Sequence, residues 1–592
     1  MIMITLYGAQ YFSTNTSVII NLAAALFVLP FFLFSATAGQ IADKYEKSLI
    51  IRRVKFFEIV IMLGGSLAFW TGNLYLLFGI LFLLGTHSVF FGPLKYSILP
   101  QHLNDNELVG GNAQVEMGTF AAILIGTIGG GLLAGTEQAA FYLPIVMLTV
   151  ASLGYLASRF IPTAPANSPN LQINWNPISE TWRTIKMAQE NRSIFLSIMG
   201  ISWFWFLGAA YLTQIPNFAN TILAGDNTVI TLLLSVFTLG IAMGSLICER
   251  LSGHKVEIGL VPFGAIGISL FGIDLFFASQ AMPIGSARDF VALLSISSSW
   301  RILLDVTLIG FFGGTYIVPL YAMIQQRAEA GSRARVIAVN NIMNAFFMVV
   351  SALTGVLLLG VADLTTPQFF LVLALMNIAV CFYIFNQVPE FTMRFLFWML
   401  SHSMYRVKHE GLEHIPDEGA AIIVCNHVSF IDALLLAGAV KRPIRFIMYK
   451  PIYDLPVLNF IFRTGKSIPI NSQHVNKAAY EKAFCDIEQG LKQGDLLCIF
   501  PEGKLTLDGE MSEFKTGIER ILNTTPVPVI PMALRGLWGS FFSHKDGKAL
   551  SRLPRRFWSS IDVVADKALL PEAVTAKLLY EAVHALRGDT KK

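Results

Sequence analysis

Residues 1–387 are a succession of apolar runs, each about 20 residues long and separated by short polar breaks. A run of that length, coiled as a helix, matches the hydrocarbon thickness of a bilayer. Only helices and closed barrels satisfy every backbone N–H and C=O there. Twelve candidate spans follow: 1–13, 17–38, 56–72, 74–93, 118–136, 139–160, 194–214, 228–247, 257–278, 300–320, 336–361 and 367–387, the first of them short. With 54% hydrophobic residues, 14% charged residues and 46 Phe, the chain is far from the balance of a soluble protein. Residues 403–592 hold much of the charge and no run long enough to cross. The expected architecture is an all-α multi-span unit followed by a separate α/β domain.

A net charge of +4 over 592 residues gives no ground for a nucleic-acid partner, and none is expected. The placement of positive charge says more. Lys44, Lys47, Arg52, Arg53 and Lys55 gather after the second run, and Arg183, Lys186 and Arg192 after the sixth. By the positive-inside rule both breaks are cytoplasmic, and an even number of spans leaves the C-terminal part on the same side. Cys248, Cys381, Cys425, Cys485 and Cys498 form no close pairs and read as reduced core residues, with no zinc site or disulfide framework. Met1-Ile2-Met3-Ile4 lacks the basic region of a signal peptide.

The two halves of the apolar part echo each other. Gly92-Pro93-Leu94-Lys95-Tyr96 ends one run and leads to Gly111-Asn112-Ala113; Val318-Pro319-Leu320-Tyr321 ends another and leads through a basic loop to Val339-Asn340-Asn341. Repeats of this size are how many carriers are built. Between the halves, Pro162, Pro165 and Pro169 suggest an extended linker, and Asn176-Pro177 the start of an amphipathic helix. Glu116 and Asp274 are charges inside runs, costly there unless paired or wetted, and Glu116 is expected to pair with Lys95. Gly126, Gly129, Gly130 and Gly131 are expected to let helices approach closely. Residues 391–400, apolar with one arginine, are too short for a span. They form either a helix in the membrane interface or a core helix of the following domain.

In the C-terminal part Ala420 to Cys425 reads as a buried strand, Asn426 to Asp432 as a turn, and Ala433 to Ala437 as the start of a helix. An imidazole at His427 can take a proton from an alcohol near neutral pH. A carboxylate at Asp432 can fix its tautomer and steady the imidazolium. The same spacing also fits a turn histidine and a helix-capping aspartate. A second buried strand, 495–500, ends in Pro501-Glu502-Gly503-Lys504, and a third hydrophobic strand runs through Val529-Ile530-Pro531-Met532.

These three ordered motifs resemble the glycerolipid acyltransferases of the lysophosphatidic acid acyltransferase (PlsC-like) family over about residues 403–592. The resemblance implies an α/β layering with His427 and Asp432 catalytic. It places Asn426, Phe500, Pro501, Glu502, Gly503, Lys504 and Pro531 about the substrates, Glu502 serving acceptor binding or loop order. Backbone N–H groups near Gly503 would meet the oxyanion. Thr506, Lys515, Thr516 and Gly517 would shape the lip, and Arg535 would meet a head group. No metal or cofactor is implied; the acyl donor would be a thioester of acyl carrier protein or coenzyme A. Asn471 and Ser472 stand where many relatives carry a phosphate-gripping arginine, leaving Lys450, Lys466 and Lys504 as cations. A phosphomonoester acceptor wants a bidentate cation, whereas a zwitterionic lysophospholipid asks for less.

Gly39 to Lys44 with Arg52 and Arg53 is similar to the loop between spans two and three of the major facilitator superfamily (MFS), whose Asp, here Asp43, caps a helix and pairs with a basic residue. The runs carrying Lys95, Asn112 and Glu116 resemble the lysophospholipid transporters within it. Two six-helix halves are implied. Met1 would then fall partway through the first span, so either the start lies upstream or that helix is incomplete. Together the resemblances imply a multi-pass protein of a bacterial inner membrane with a cytoplasmic catalytic domain. It would re-acylate a lysophospholipid, lysophosphatidylethanolamine above others. Phosphatidic acid synthesis from 1-acylglycerol-3-phosphate, or transport alone beside an inactive domain, are the alternatives.

Overall fold

The computed structural model describes residues 16–588 except 135, 137, 253–258, 284–286, 388, 417–418, 441, 457 and 546–557. The expected run at 1–13 lies outside the described residues. The chain forms two compact units, one reaching Tyr383 and the other beginning at Ile384.

Among the described residues of the first unit, 11 helices are long and apolar enough to cross a membrane. They belong to α1 (Thr16–Lys44), α2 (Lys47–Thr71), α3 (Leu74–Ser97), α4 (Leu108–Ala134) and α5 (Ala139–Ser158). After the shorter α6 (Pro177–Glu190) come α7 (Arg192–Thr221), α8 (Asn227–Leu251), α9 (Leu260–Gln280), α10 (Ser297–Arg327), α11 (Arg333–Gly355) and α12 (Thr366–Gln387). Lys47, Arg52, Arg53 and Lys55, expected in a loop, lie in the first turns of α2, with only Tyr45 and Glu46 separating it from α1. Glu46 permits so tight a corner. Its carboxylate accepts from the N–H groups of Ser48 (3.0 Å), Leu49 (2.7 Å) and Ala164 (2.9 Å), satisfying the orphan donors of the helix start. At the other end of α2, Gly72 takes the left-handed conformation (φ 61°) that stops the helix.

Helix contact is closest between α8 and α10. A Cβ on Gly240, Gly244, Gly310 or Gly314 would run into the carbonyl oxygen of Thr307, Phe311, Phe237 or Ile241 respectively, so the two backbones touch. Of the glycines expected to serve this purpose, Gly126, Gly129 and Gly131 would have no atom of the described residues within 4 Å of an added Cβ, while Gly130 is buried. The linker and α6 form as expected. Asn176 caps α6 ahead of Pro177, Glu180, Thr184 and Ala188 are buried, and Ile178 and Trp182 are exposed.

The second unit opens with α13 (Pro389–Met404), followed by β1 (Arg406–Glu410), β2 (Ala421–Cys425), α14 (Asp432–Ala439), β3 (Ile444–Tyr449), β4 (Ile468–Ile470), α15 (Lys477–Lys492), β5 (Leu496–Ile499), α16 (Gly517–Thr524), β6 (Val529–Arg535), β7 (Ser560–Ala565) and α17 (Ala576–Arg587). Seven strands form one sheet in the order β1-β7-β6-β2-β5-β3-β4, parallel except where β6 meets β7. All five residues of β2 are buried, as a central parallel strand covered on both faces requires. Ala421, Ile423 and Cys425 join one core with Leu435 and Leu436 of α14; Ile422 and Val424 join the other with Ile487 of α15 and Leu579 of α17. Helix α13 belongs to this unit's core. Phe397 and Met404 pack on it, and Gly438 admits the Trp398 backbone, since a Cβ there would lie 2.8 Å from Trp398 Cα. Cys485, expected inside, is exposed on α15, and Cys381 is half-buried.

Gly244→Val should lower stability by about 1–3 kcal/mol through overpacking, whereas Gly129→Ala should be neutral or better, since Ala favours helix. Thermal unfolding of the detergent-solubilised chain would show the contrast.

Candidate functional site

The turn after β2 is built around one carboxylate. Asp432, the first residue of α14, is fully buried. Its Oδ2 accepts from the N–H groups of Val428 (2.6 Å) and Ser429 (2.9 Å) and lies 2.9 Å from His427 Nδ1, while Oδ1 takes the Ser429 hydroxyl at 2.6 Å. Nδ1 is therefore the protonated nitrogen when the ring is neutral, and Nε2, which has no partner among the described residues, is left as the base. The imidazole is 24% exposed, enough for a substrate to reach it. Phe500 stacks on it with centroids 4.2 Å apart and planes 16° apart, which holds the ring's orientation.

The second motif reaches the same place because β2 and β5 are parallel neighbours, with Val424 opposite Ile499, so both chains leave the sheet on the same edge. Glu502 is 2% exposed; its Oε1 accepts from the His427 N–H and its Oε2 from the Ser512 N–H, both at 2.7 Å. Of the two expected roles for Glu502, loop order is the one these two backbone bonds serve directly. Burial pushes its carboxyl above the ordinary range, partly offset by those two N–H groups. The Thr506 N–H donates to the His427 carbonyl (3.1 Å), closing the loop onto the base. Gly503, with φ 66°, donates its own N–H to Phe500 O (3.0 Å), so that group is spent in the turn, and Lys504 is exposed beside it. Lys515 of the lip folds over this glycine: a Cβ at 503 would lie 2.5 Å from Lys515 Nζ.

Several expected contacts with substrate belong to the scaffold. Asn426 is fully buried, and its amide bonds both to the carbonyl (3.1 Å) and to the N–H (2.8 Å) of Leu534. Pro531 is buried in β6, opposite Val424 of β2. Arg535 donates to the Leu586 carbonyl at 2.6 Å and so holds α17. Lys466 precedes β4 at the opposite edge of the sheet, near the Arg445–Asp495 pair. Cys425 and Cys498 lie side by side behind the site, and burial drives both thiols up, so neither is a ready nucleophile.

In the first unit the two halves meet at one seam. Asp43 is fully buried and accepts from the N–H of Ala334 (3.0 Å) and from the N–H and Nε of Arg335 (3.3 and 3.1 Å), capping α11 of the other half. Gly39 lies against α11; a Cβ there would sit 2.9 Å from Arg335 Cα. The amides of Asn112 and Gln325 bond reciprocally at 2.6 and 3.0 Å, and Tyr96 stacks on Tyr321 at 4.2 Å. Glu116 and Lys95 lie near enough to feel each other's charge, but each has another hydrogen-bond partner. Glu116 takes the Tyr96 hydroxyl, and Lys95 donates to Thr119 Oγ1 (3.1 Å) over the Tyr96 ring. Among the other motif cations, Arg52 donates to the Ile161 carbonyl (3.0 Å), Lys44 lies over the Tyr45 ring and Arg53 is exposed. Arg335 and Gln325 went unnoticed in the sequence, although the basic loop ahead of Asn340 was the signal for the first.

Residues 1–352 match the family model of the Major Facilitator Superfamily. The chain belongs to the Major Facilitator Superfamily. A second family model, Acyltransferase, matches residues 406–535, so in this MFS protein an acyltransferase domain follows the membrane unit. Its curated relatives include the lysophospholipid transporters LplT of Cronobacter sakazakii, 28% identical over 54% of this chain and 74% of that protein, and of Klebsiella pneumoniae, 28% identical over 54% and 74%. Among solved structures, the human organic anion transporter MFSD10 superposes with a TM-score of 0.50 at 12% identity, covering 64% of this chain and 88% of that one. The Escherichia coli fucose:proton symporter FucP does so with a TM-score of 0.50 at 12% identity, covering 65% and 92%. At such identity these two speak for the MFS fold alone. Like them, the MFS unit here is a multi-pass membrane protein.

Because burial holds Glu502 above the ordinary carboxylate range, the folded MFS chain binds that proton more tightly than the unfolded chain. Glu502's contribution to stability is therefore full in acid and declines as pH rises through that interval. In Glu502→Gln that decline should vanish, while one backbone donor loses its acceptor at a cost of about 1–3 kcal/mol. Denaturant midpoints of both proteins across acid pH check it.

Proposed function

We propose that this chain carries a lysophospholipid across the membrane in its helical unit and re-acylates it on the cytoplasmic face. Lysophosphatidylethanolamine is the preferred acceptor, an acyl carrier protein or coenzyme A thioester the donor, and no further cofactor takes part. The observation that carries this reading is the imidazole of His427, bound at Nδ1 by Asp432 and open at Nε2, in an acyltransferase domain continuous with a unit that resembles lysophospholipid transporters.

His427 Nε2 takes the proton of the lipid hydroxyl as its oxygen attacks the thioester carbonyl. Asp432 holds the resulting imidazolium, and the Phe500 face keeps its orientation. When the tetrahedral intermediate collapses, the new ester forms, the C–S bond breaks and the imidazolium returns its proton to the departing thiolate. Loop N–H groups beyond Gly503 meet the oxyanion. With neither buried cysteine ready as a nucleophile, transfer is direct. Asn471 and Ser472 offer no bidentate cation, which favours a phosphodiester acceptor over a phosphomonoester.

In the membrane unit the lipid head group would pass along the seam. Glu116 Oε2 and both polar atoms of the Asn340 amide, beside Tyr321, are buried there without a well-formed hydrogen bond among the described residues, so they can take up polar groups that hydrocarbon cannot satisfy. The basic residues about α2 and α6 favour a cytoplasmic position for the seam's latched end and for the catalytic domain, in the inner membrane of a bacterium.

The reconstituted chain, given labelled lysophosphatidylethanolamine or lysophosphatidic acid with either thioester, should make phosphatidylethanolamine faster than phosphatidic acid. His427→Ala should cut the rate by about 100-fold or more while lipid uptake into vesicles persists. Retained acylation in that variant would refute the assignment. Faster phosphatidic acid formation would favour synthesis of that lipid, and uptake without any acylation would leave a transporter alone.

A further inference from the structure

Asp274, a charge in α9 that the seam does not use, proves to be one of three ionisable side chains at the α9–α10 contact. Arg301 of α10 grips it through both carboxylate oxygens, Nε lying 2.9 Å from Oδ2 and Nη2 bonding Oδ1. One turn further along α10, Asp305 is 1% exposed; its Oδ2 has no hydrogen-bond donor among the described residues, and its carboxyl faces that of Asp274. The charged neighbours of Asp305 are Asp274 and Arg301. With Arg301 already engaged, the trio carries one uncompensated negative charge in an apolar setting that includes Ile302, Leu303, Val306 and Ile309.

Among the described residues, no other charged group is placed to neutralise it. Asp274 is the single charge of α9. On α8, Glu249 and Arg250 stand at the far end, since Gly240 is already level with Thr307. On α7 the ionisable groups are Arg192, at its first residue, and the Tyr211 hydroxyl, beside Gly272. Glu116 of α4 and Arg333 and Arg335 of α11 lie at the seam, where α10 presents Tyr321 and Gln325. Asp289 caps the short helix before α10, and Arg288 donates to the carbonyls of Leu223 and Pro283. A metal cation would need about six oxygen ligands, and one free carboxylate oxygen among aliphatic side chains does not supply them. A proton needs only that oxygen, and Arg301 is half-exposed and Asp274 part-exposed beside it.

We propose that Asp305, backed by Asp274, is a proton-binding site of the membrane unit, and that one bound proton favours the arrangement in which the two halves meet at the seam. The connection is α10 itself. It carries Asp305 near one end and Tyr321 and Gln325, which touch the other half, near the other, and its backbone contact with α8 makes the pair move together. The coupling half of this proposal rests on the transport reading; the proton site does not.

Infrared difference spectra of the reconstituted full chain between acid and neutral pH should contain a protonated-carboxyl band that Asp305→Asn lacks. Uptake of labelled lysophosphatidylethanolamine should change severalfold with an imposed proton gradient in the wild type and not in Asp305→Asn, with Asp305→Glu restoring the dependence. Should Asp305→Asn fail to fold, Asp274→Asn removes the same band by freeing Arg301 for Asp305. A band unchanged in these variants, or a sodium gradient that replaces the proton gradient, would overturn the proposal. A band lost as expected in a wild type that moves no lipid would uphold the proton site and sink the transport reading instead.

Discussion

A carboxylate taken out of water must be given donors, and much of this chain's long-range order follows from how that demand is met. Asp432 gathers the N–H groups of Val428 and Ser429 with the Ser429 hydroxyl, and in doing so shapes the turn that presents His427. Glu502 reaches from the next strand to the N–H of His427 and fixes where the two motifs meet. Asp43 does the same in the membrane unit, where its partners are the first N–H groups of a helix in the other half. Each acid costs several kcal/mol in desolvation if left alone. Each therefore holds in place whatever supplies its hydrogen bonds. Asp305, like Glu116, keeps one oxygen that no donor among the described residues answers, and with the Asp274 carboxylate beside it that oxygen is where a proton would sit.

The catalytic arrangement also depends on strand direction. Parallel neighbours release their chains at the same sheet edge, so a turn after β2 and a turn after β5 converge without either being long. That is the usual place for a site in a parallel sheet. Asn426 secures the edge from beneath by joining the end of β2 to β6 through Leu534, which gives the amide beside the base a structural task.

Much of this was legible in advance. The apolar runs located the spans, since length and hydrophobicity are local properties, and the spacing of His427 and Asp432 located the pair, since both lie within one turn. Errors fell where a residue's meaning depends on what faces it. Gly126, Gly129 and Gly131 look like packing glycines, yet among the described residues it is Gly240 and Gly244 that admit a neighbouring backbone, because α10 crosses there. Lys95 and Glu116 are near in sequence and opposite in charge, yet the Tyr96 hydroxyl and Thr119 intervened. Arg535 follows a motif strand, but α17 folds back to claim it.

The amino-acid sequence by itself determined that the first 387 residues would enter a membrane, that a strand–turn–helix would offer a base and an acid, and that the two would be adjacent. Backbone hydrogen bonding in lipid and the geometry of a single turn leave few other outcomes. Tertiary structure alone decided which distant groups answer the buried charges: Arg335 for Asp43, the His427 N–H for Glu502, Arg301 for Asp274. Those partners are separated by 27 to 292 residues. Their meeting depends on how whole helices and strands pack, which no local pattern encodes.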